Sequence, residues 1–163
     1  MALALATLIL ATVALRHLPG ISRRVRDAHI AGMTTGEFLL YSSIRIPLAT
    51  ALAEELVFRG LVWFALESIG GPIFALGVSS ALFGLWHIGV STRQAKELGV
   101  RVTGWVLMTV LATTVAGLGF GWLRLITGGI WAPFIAHCLV NLVGAIAART
   151  GSGQAPEIGP QNP

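Results

Sequence analysis

Apolar residues fall in five long runs along the chain, at residues 2–15, 38–69, 72–91, 102–123 and 130–148. None of them alternates apolar and polar positions at the period of two that a membrane barrel needs. Runs of about 20 apolar residues match the roughly 30 Å hydrocarbon core of a bilayer when helical. The pattern therefore predicts an all-α protein, a polytopic transmembrane helical bundle of about five spans. The first run is short for a span. It lacks a basic leading region and an A-x-A cleavage site, so it reads as a retained first span and not as a signal peptide.

The second run is too long for one simple crossing. As a continuous helix, residues 38–69 would measure about 48 Å at about 1.5 Å per residue. Arg45 and Pro47 interrupt it. Proline removes a helical amide donor but suits a first helical turn. The expectation is that 36–46 lies along the interface and that the span runs from about 47 to 69. A single long tilted helix is the alternative. The closing "GSGQAPEIGPQNP" is polar and rich in Gly and Pro, and is expected to be disordered. The organisation expected is a first transmembrane segment with a basic loop (1–30), a membrane core (31–149) and a tail (150–163).

Lys and Arg placement sets orientation. Arg16, Arg23, Arg24 and Arg26 follow the first run, Arg93, Lys96 and Arg101 follow the third, and Arg149 follows the fifth. The opposite side carries only Arg124. With the basic side cytoplasmic, a multi-pass cell-membrane protein results, N-terminus outside and C-terminus cytoplasmic. Glu54 then lies roughly 10 Å from the cytoplasmic end of its span, at a depth comparable to His87 and His137. That shared depth favours the break at Pro47.

Composition supports the membrane reading: 55% of residues are hydrophobic, 11% are charged, and the mean hydropathy is +0.79. The net charge of +4 comes from topology signals. Membrane lipid is the expected surrounding partner, and no nucleic acid is. The single cysteine, Cys138, excludes an internal disulfide and a cysteine-based metal cage.

Against this background the intramembrane polar residues stand out, because ionisable groups there are costly and mark function by default. "LATALAEELVFRGLVWF" carries Glu54, Glu55 and Arg59. Glu55 and Arg59 are four apart on one helical face and can pair. Glu54 points about 100° away and has no such local partner, which leaves it as a candidate proton acceptor. "SSALFGLWHIG" places Phe83 four residues before His87, and "WAPFIAHCLVNLVG" places His137 four before Asn141. One carboxylate, two imidazoles and one carboxamide from three helices can hold a water, take its proton and donate to a developing oxyanion.

Glu54-Glu55-x-x-x-Arg59, Phe83-x-x-x-His87 and His137-x-x-x-Asn141, in this order on successive membrane segments, resemble the CAAX protease and bacteriocin-processing (CPBP, or Abi) family of intramembrane endopeptidases. The resemblance covers about residues 48–145. Many members have more helices before this core. It implies that Glu54 is the general base, that His87 holds the water, and that His137 and Asn141 stabilise the oxyanion. Glu55 and Arg59 would be a structural pair keeping Glu54 aimed, with Phe83 packed beneath His87. It also implies a peptide or membrane-protein substrate in preference to a prenylated CAAX end. The family has been described both as zinc-dependent and as metal-free. Glu54, His87 and His137 would supply a three-ligand zinc site, but the paired H-E-x-x-H spacing is missing, and both versions stay open.

Bland readings compete. Glu55 and Arg59 read as an ion pair that orders helices, His137 with Asn141 as polar glue between helices, and Trp86, Trp122 and Trp131 as interfacial anchors. Two other function classes are a proton-linked transporter subunit, which also uses buried Glu and His, and a non-catalytic membrane scaffold or immunity protein. The serine and aspartate signatures of other intramembrane proteases, and the paired-histidine zinc motif, are absent from the sequence.

Overall fold

The computed structural model describes residue 30 and residues 32–150. The first apolar run, the basic loop that follows it and the Gly- and Pro-rich tail lie outside these residues. All regular elements among the described residues are helical. They are α1 (Thr35–Leu40), a π-helical stretch π1 (Tyr41–Leu52), α2 (Ala53–Glu55), a second π-helical stretch π2 (Leu56–Val62), α3 (Trp63–Trp86), α4 (Ile88–Glu97), α5 (Val102–Thr127) and α6 (Trp131–Thr150). Contacts divide the chain into two compact units. One is Ile44–Leu139 and the other joins the segments up to Ser43 and from Val140.

Three stretches among the described residues are long and apolar enough to cross a membrane: Thr35–Glu97, Val102–Thr127 and Trp131–Thr150. About five had been expected, and the first of those falls outside the described residues. The 63-residue stretch is not one straight rod. At Gly71 the backbone takes φ 78° and ψ 179°, a region open essentially to glycine alone. Pro72 follows, fixing φ for the first turn of the next helical arm. The "GGP" at 70–72 therefore separates the apolar runs that end at 69 and begin at 72.

The expected break at Pro47 does not occur. Pro47 lies inside π1, and the helical course continues through it into α2. In a regular α-helix the proline ring would strike the carbonyl of residue i−4 and leave one acceptor without a donor. Widening the turn to π geometry relieves this, a known adjustment of proline-containing helices in membranes. The depth of Glu54 is therefore not set by a helix start at Pro47.

Large apolar side chains face outward. Leu61 is 72% exposed, Phe64 74% and Ile69 79%. A contiguous apolar exterior of this kind requires a lipid environment, and the chain is a membrane protein. The interior of the Ile44–Leu139 unit is built from small residues and a few aromatics. The second arm of α3 packs on α5 through Ser80, Gly84, Gly117 and Gly121. A Cβ on Gly117 would lie 3.2 Å from both Phe83 Cδ1 and the Ser80 backbone, and one on Gly84 would overlap the Thr114 hydroxyl. Small residues four apart on both helices are what close approach between membrane helices requires.

The third apolar run, expected to continue from 72 to 91, ends as a helix at Trp86. His87 sits at φ −82° and ψ −3°, between α3 and the amphipathic α4. α4 then turns its buried Ser91 and Ala95 inward and packs against α5.

Candidate active site

Glu55 and Arg59 lie at the centre of the Ile44–Leu139 unit, on α2 and π2. Both side chains are fully buried, and Arg59 Nη1 donates to Glu55 Oε1 at 3.2 Å. Arg59 Nη2 also donates to the main-chain carbonyl of Gly117 at 2.9 Å, across to α5. That carbonyl lies where α5 comes close to Phe83 and Ser80, with no side chain at residue 117 to hold them apart. The Arg59 guanidinium carbon lies 4.5 Å from the centre of Phe83 and 5.3 Å from that of Phe120. A buried cation between two ring faces is further stabilised by their quadrupoles.

His137, on α6, joins the cluster from the other side. Its Nδ1 lies 2.8 Å from Glu55 Oε1, and its Nε2 lies 3.7 Å from Glu54 Oε2. A carboxylate only accepts, so the hydrogen of this bond belongs to Nδ1. That bond turns Nε2 towards Glu54. One imidazole thus spans two carboxylates that leave their helix about 100° apart. The ring stacks on Phe120 at 4.8 Å with 19° between planes, which fixes its tilt.

The sequence reading missed the role of Glu55 here. It paired Glu55 with Arg59, and the pair is present, but the same oxygen also binds His137, 82 positions away. A carboxylate that has an arginine partner four residues away already looks satisfied, and nothing in local spacing points to a second donor.

Glu54 is the more accessible carboxylate, with a side-chain exposure of 17% against none for Glu55. Its Oε2 is nevertheless buried and accepts no hydrogen bond from the protein. Buried acceptors without a partner are uncommon and call for an explanation. At 3.7 Å the Glu54–His137 contact is too long for a direct hydrogen bond and suits a bridging water. Glu54 is also within electrostatic reach of His87.

His87 owes its orientation to the end of α3. Its main-chain N–H turns back to Gly84 at 3.1 Å, so the Phe83 carbonyl loses its regular helical donor. The imidazole takes that place, Nδ1 lying 2.8 Å from the Phe83 oxygen. A carbonyl cannot donate, so His87 carries its hydrogen on Nδ1 and leaves Nε2 free as an acceptor. Phe83 is 2% exposed and touches both histidines.

Asn141 lies one turn beyond His137 on α6. It belongs to the other compact unit, and its part in the site is an expectation carried by helical spacing. As for zinc, no three His, Cys, Asp or Glu side chains among the described residues come together as a set that would hold an ion. Glu54, His87 and His137 as placed do not fit the three-ligand site, and no step below is routed through a metal.

No curated protein and no solved structure matches the chain. One family model does, over residues 36–143, which is more than half of the sequence and includes all three motifs. Two adjacent carboxylates, one of them fully buried, an arginine clamp and two oriented histidines are thus accompanied by a match to a family of membrane proteases. The chain belongs to the type II CAAX prenyl endopeptidase Rce1-like family.

Proposed function

We propose that this protein is an intramembrane endopeptidase that hydrolyses peptide bonds of membrane-associated peptides or proteins with a glutamate-activated water. The observation that carries the reading is the unsatisfied Oε2 of Glu54 beside the Nε2 of His137. A carboxylate oxygen so placed takes a proton from a water, and His87, with Nε2 free, accepts that water's other hydrogen.

The water oxygen attacks the scissile carbonyl carbon as its proton passes to Glu54. The carbonyl oxygen becomes an oxyanion. Glu54 relays the proton to His137 Nε2, whose other nitrogen is already held by Glu55. His137 then carries hydrogens on both nitrogens, faces the oxyanion with Nε2–H, and Asn141 donates alongside it. Collapse of the tetrahedral intermediate breaks the C–N bond, and the leaving amine takes the proton from His137. Glu54 ends as it began. Arg59 does not touch the reacting atoms. It balances Glu55 and so keeps a carboxylate available to orient the imidazole.

The experiment uses the purified protein in liposomes with internally quenched peptides ending in a CAAX sequence, farnesylated and unmodified. The expected result is cleavage that His137→Ala and His87→Ala each reduce by about 10²–10⁴-fold, the usual contribution of a positioned acid or base. Asn141→Ala is expected to cost about 10²–10³-fold, as loss of an oxyanion donor does. Proton flux dependent on Glu54 with no peptide cleaved would favour a transporter subunit and overturn the hydrolase reading.

A further inference from the structure

We propose that Phe83 is a positioning residue that sets the spacing between the two histidine side chains. The inference rests on the hydrolase reading above and deepens it. The Phe83 ring stands roughly perpendicular to the His87 ring at 4.8 Å and to the His137 ring at 5.7 Å, with interplanar angles of 67° and 85°. Its main-chain oxygen holds His87 Nδ1, so one residue contacts His87 through both backbone and side chain.

The ring cannot move to absorb a shift. The Arg59 guanidinium covers its face at 4.5 Å. Phe120 meets it edge to face at 6.2 Å. The Gly117 backbone closes the remaining side. The cation that balances Glu55 is therefore packed on the same ring that separates the imidazoles. A flat, rigid side chain with two rotatable bonds is suited to this, whereas a branched aliphatic one leaves slack. Slack of about 1 Å at reacting groups costs on the order of 100-fold in rate.

Phe58 is the control. It is 4% exposed and packs on Phe83 and Trp86, but makes no ring contact with either histidine among the described residues. Phe83→Leu and Phe58→Leu remove similar packing. The test measures kcat and KM on the same quenched peptide, the thermal midpoint, and the nitrogen-15 signals of labelled histidine side chains. For Phe83→Leu the account expects kcat to fall about 100-fold with KM changed by less than about threefold, together with broadened imidazole signals. For Phe58→Leu it expects kcat within about threefold at a comparable loss of thermal stability. Equal kcat losses in the two variants would overturn the proposal. If Phe83→Leu does not accumulate, Phe83→Met is read by the same criteria.

Glu54→Gln measured in parallel separates the two layers. Should it be inactive while Phe83→Leu keeps the wild-type kcat, the Phe83 role fails and the hydrolase reading stands. Should it cleave like wild type, the hydrolase reading fails. The imidazole signals then decide alone, with unchanged signals in Phe83→Leu refuting the positioning role.

Discussion

Arg59 and Glu55 offer a quantitative test of the clustered interior. Arg59→Met removes a fully buried ion pair, the hydrogen bond to Gly117 and the contacts with two aromatic faces. Breaking a buried pair by deleting one partner costs about 3–5 kcal/mol, because the other charge is stranded. Loss of the charge-assisted bond to the Gly117 carbonyl, which keeps its place within α5, adds about 1.5–3 kcal/mol in principle. Polar contacts between membrane helices average nearer about 0.6 kcal/mol, since an unfolded chain in lipid finds other partners. His137 remains on Glu55 at 2.8 Å and limits the damage. We therefore expect Arg59→Met to destabilise by about 3 kcal/mol and Glu55→Gln by a similar amount. The double variant strands no charge and is expected to be more stable than the sum by about 2–3 kcal/mol, the upper range of measured couplings. Equilibrium unfolding in bicelles, run as a double-mutant cycle, measures this directly. Additivity within about 0.5 kcal/mol would refute the pairing as drawn.

Three further outcomes follow from particular residues. Gly117→Val places side-chain carbon against Phe83 and Ser80, so it is expected to destabilise by about 1–3 kcal/mol and to lower cleavage by displacing the carbonyl that holds Arg59. Thermal unfolding and the peptide assay read the two effects. Gly71→Ala forces a side chain into φ 78° and ψ 179°, with an expected cost of about 1–3 kcal/mol in the same unfolding measurement. A zinc chelator such as 1,10-phenanthroline is expected to leave the cleavage rate within about twofold. Loss of activity that added zinc restores would instead require Glu54, His87 and His137 to act as ligands.

Much of the site is legible from charge alone. Ionisable residues inside apolar helices are rare enough that Glu54, Glu55, Arg59, His87 and His137 single themselves out, and spacing of four pairs Glu55 with Arg59. What spacing does not carry is contact between helices. The Glu55–His137 bond joins α2 to α6, and the reach of Arg59 to Gly117 joins π2 to α5, and neither has a signal in local spacing. The unbroken course of the chain through Pro47 is hidden from the sequence for a related reason. The rule that proline ends a helix belongs to α geometry, and the wider π turn removes the clash on which it rests. The same local freedom explains His87. The end of α3 at Trp86 follows from a turned backbone bond that the continuous apolar run conceals.

The central claim is that Glu54 activates a water against a peptide bond. It is tested most directly by comparing wild-type protein with Glu54→Gln, which keeps the size and loses the carboxylate, on farnesylated and unmodified CAAX peptides in liposomes. The account predicts cleavage by wild type and a loss of about 10³-fold or more in kcat for Glu54→Gln, with thermal stability unchanged. Cleavage by Glu54→Gln at the wild-type rate would contradict it.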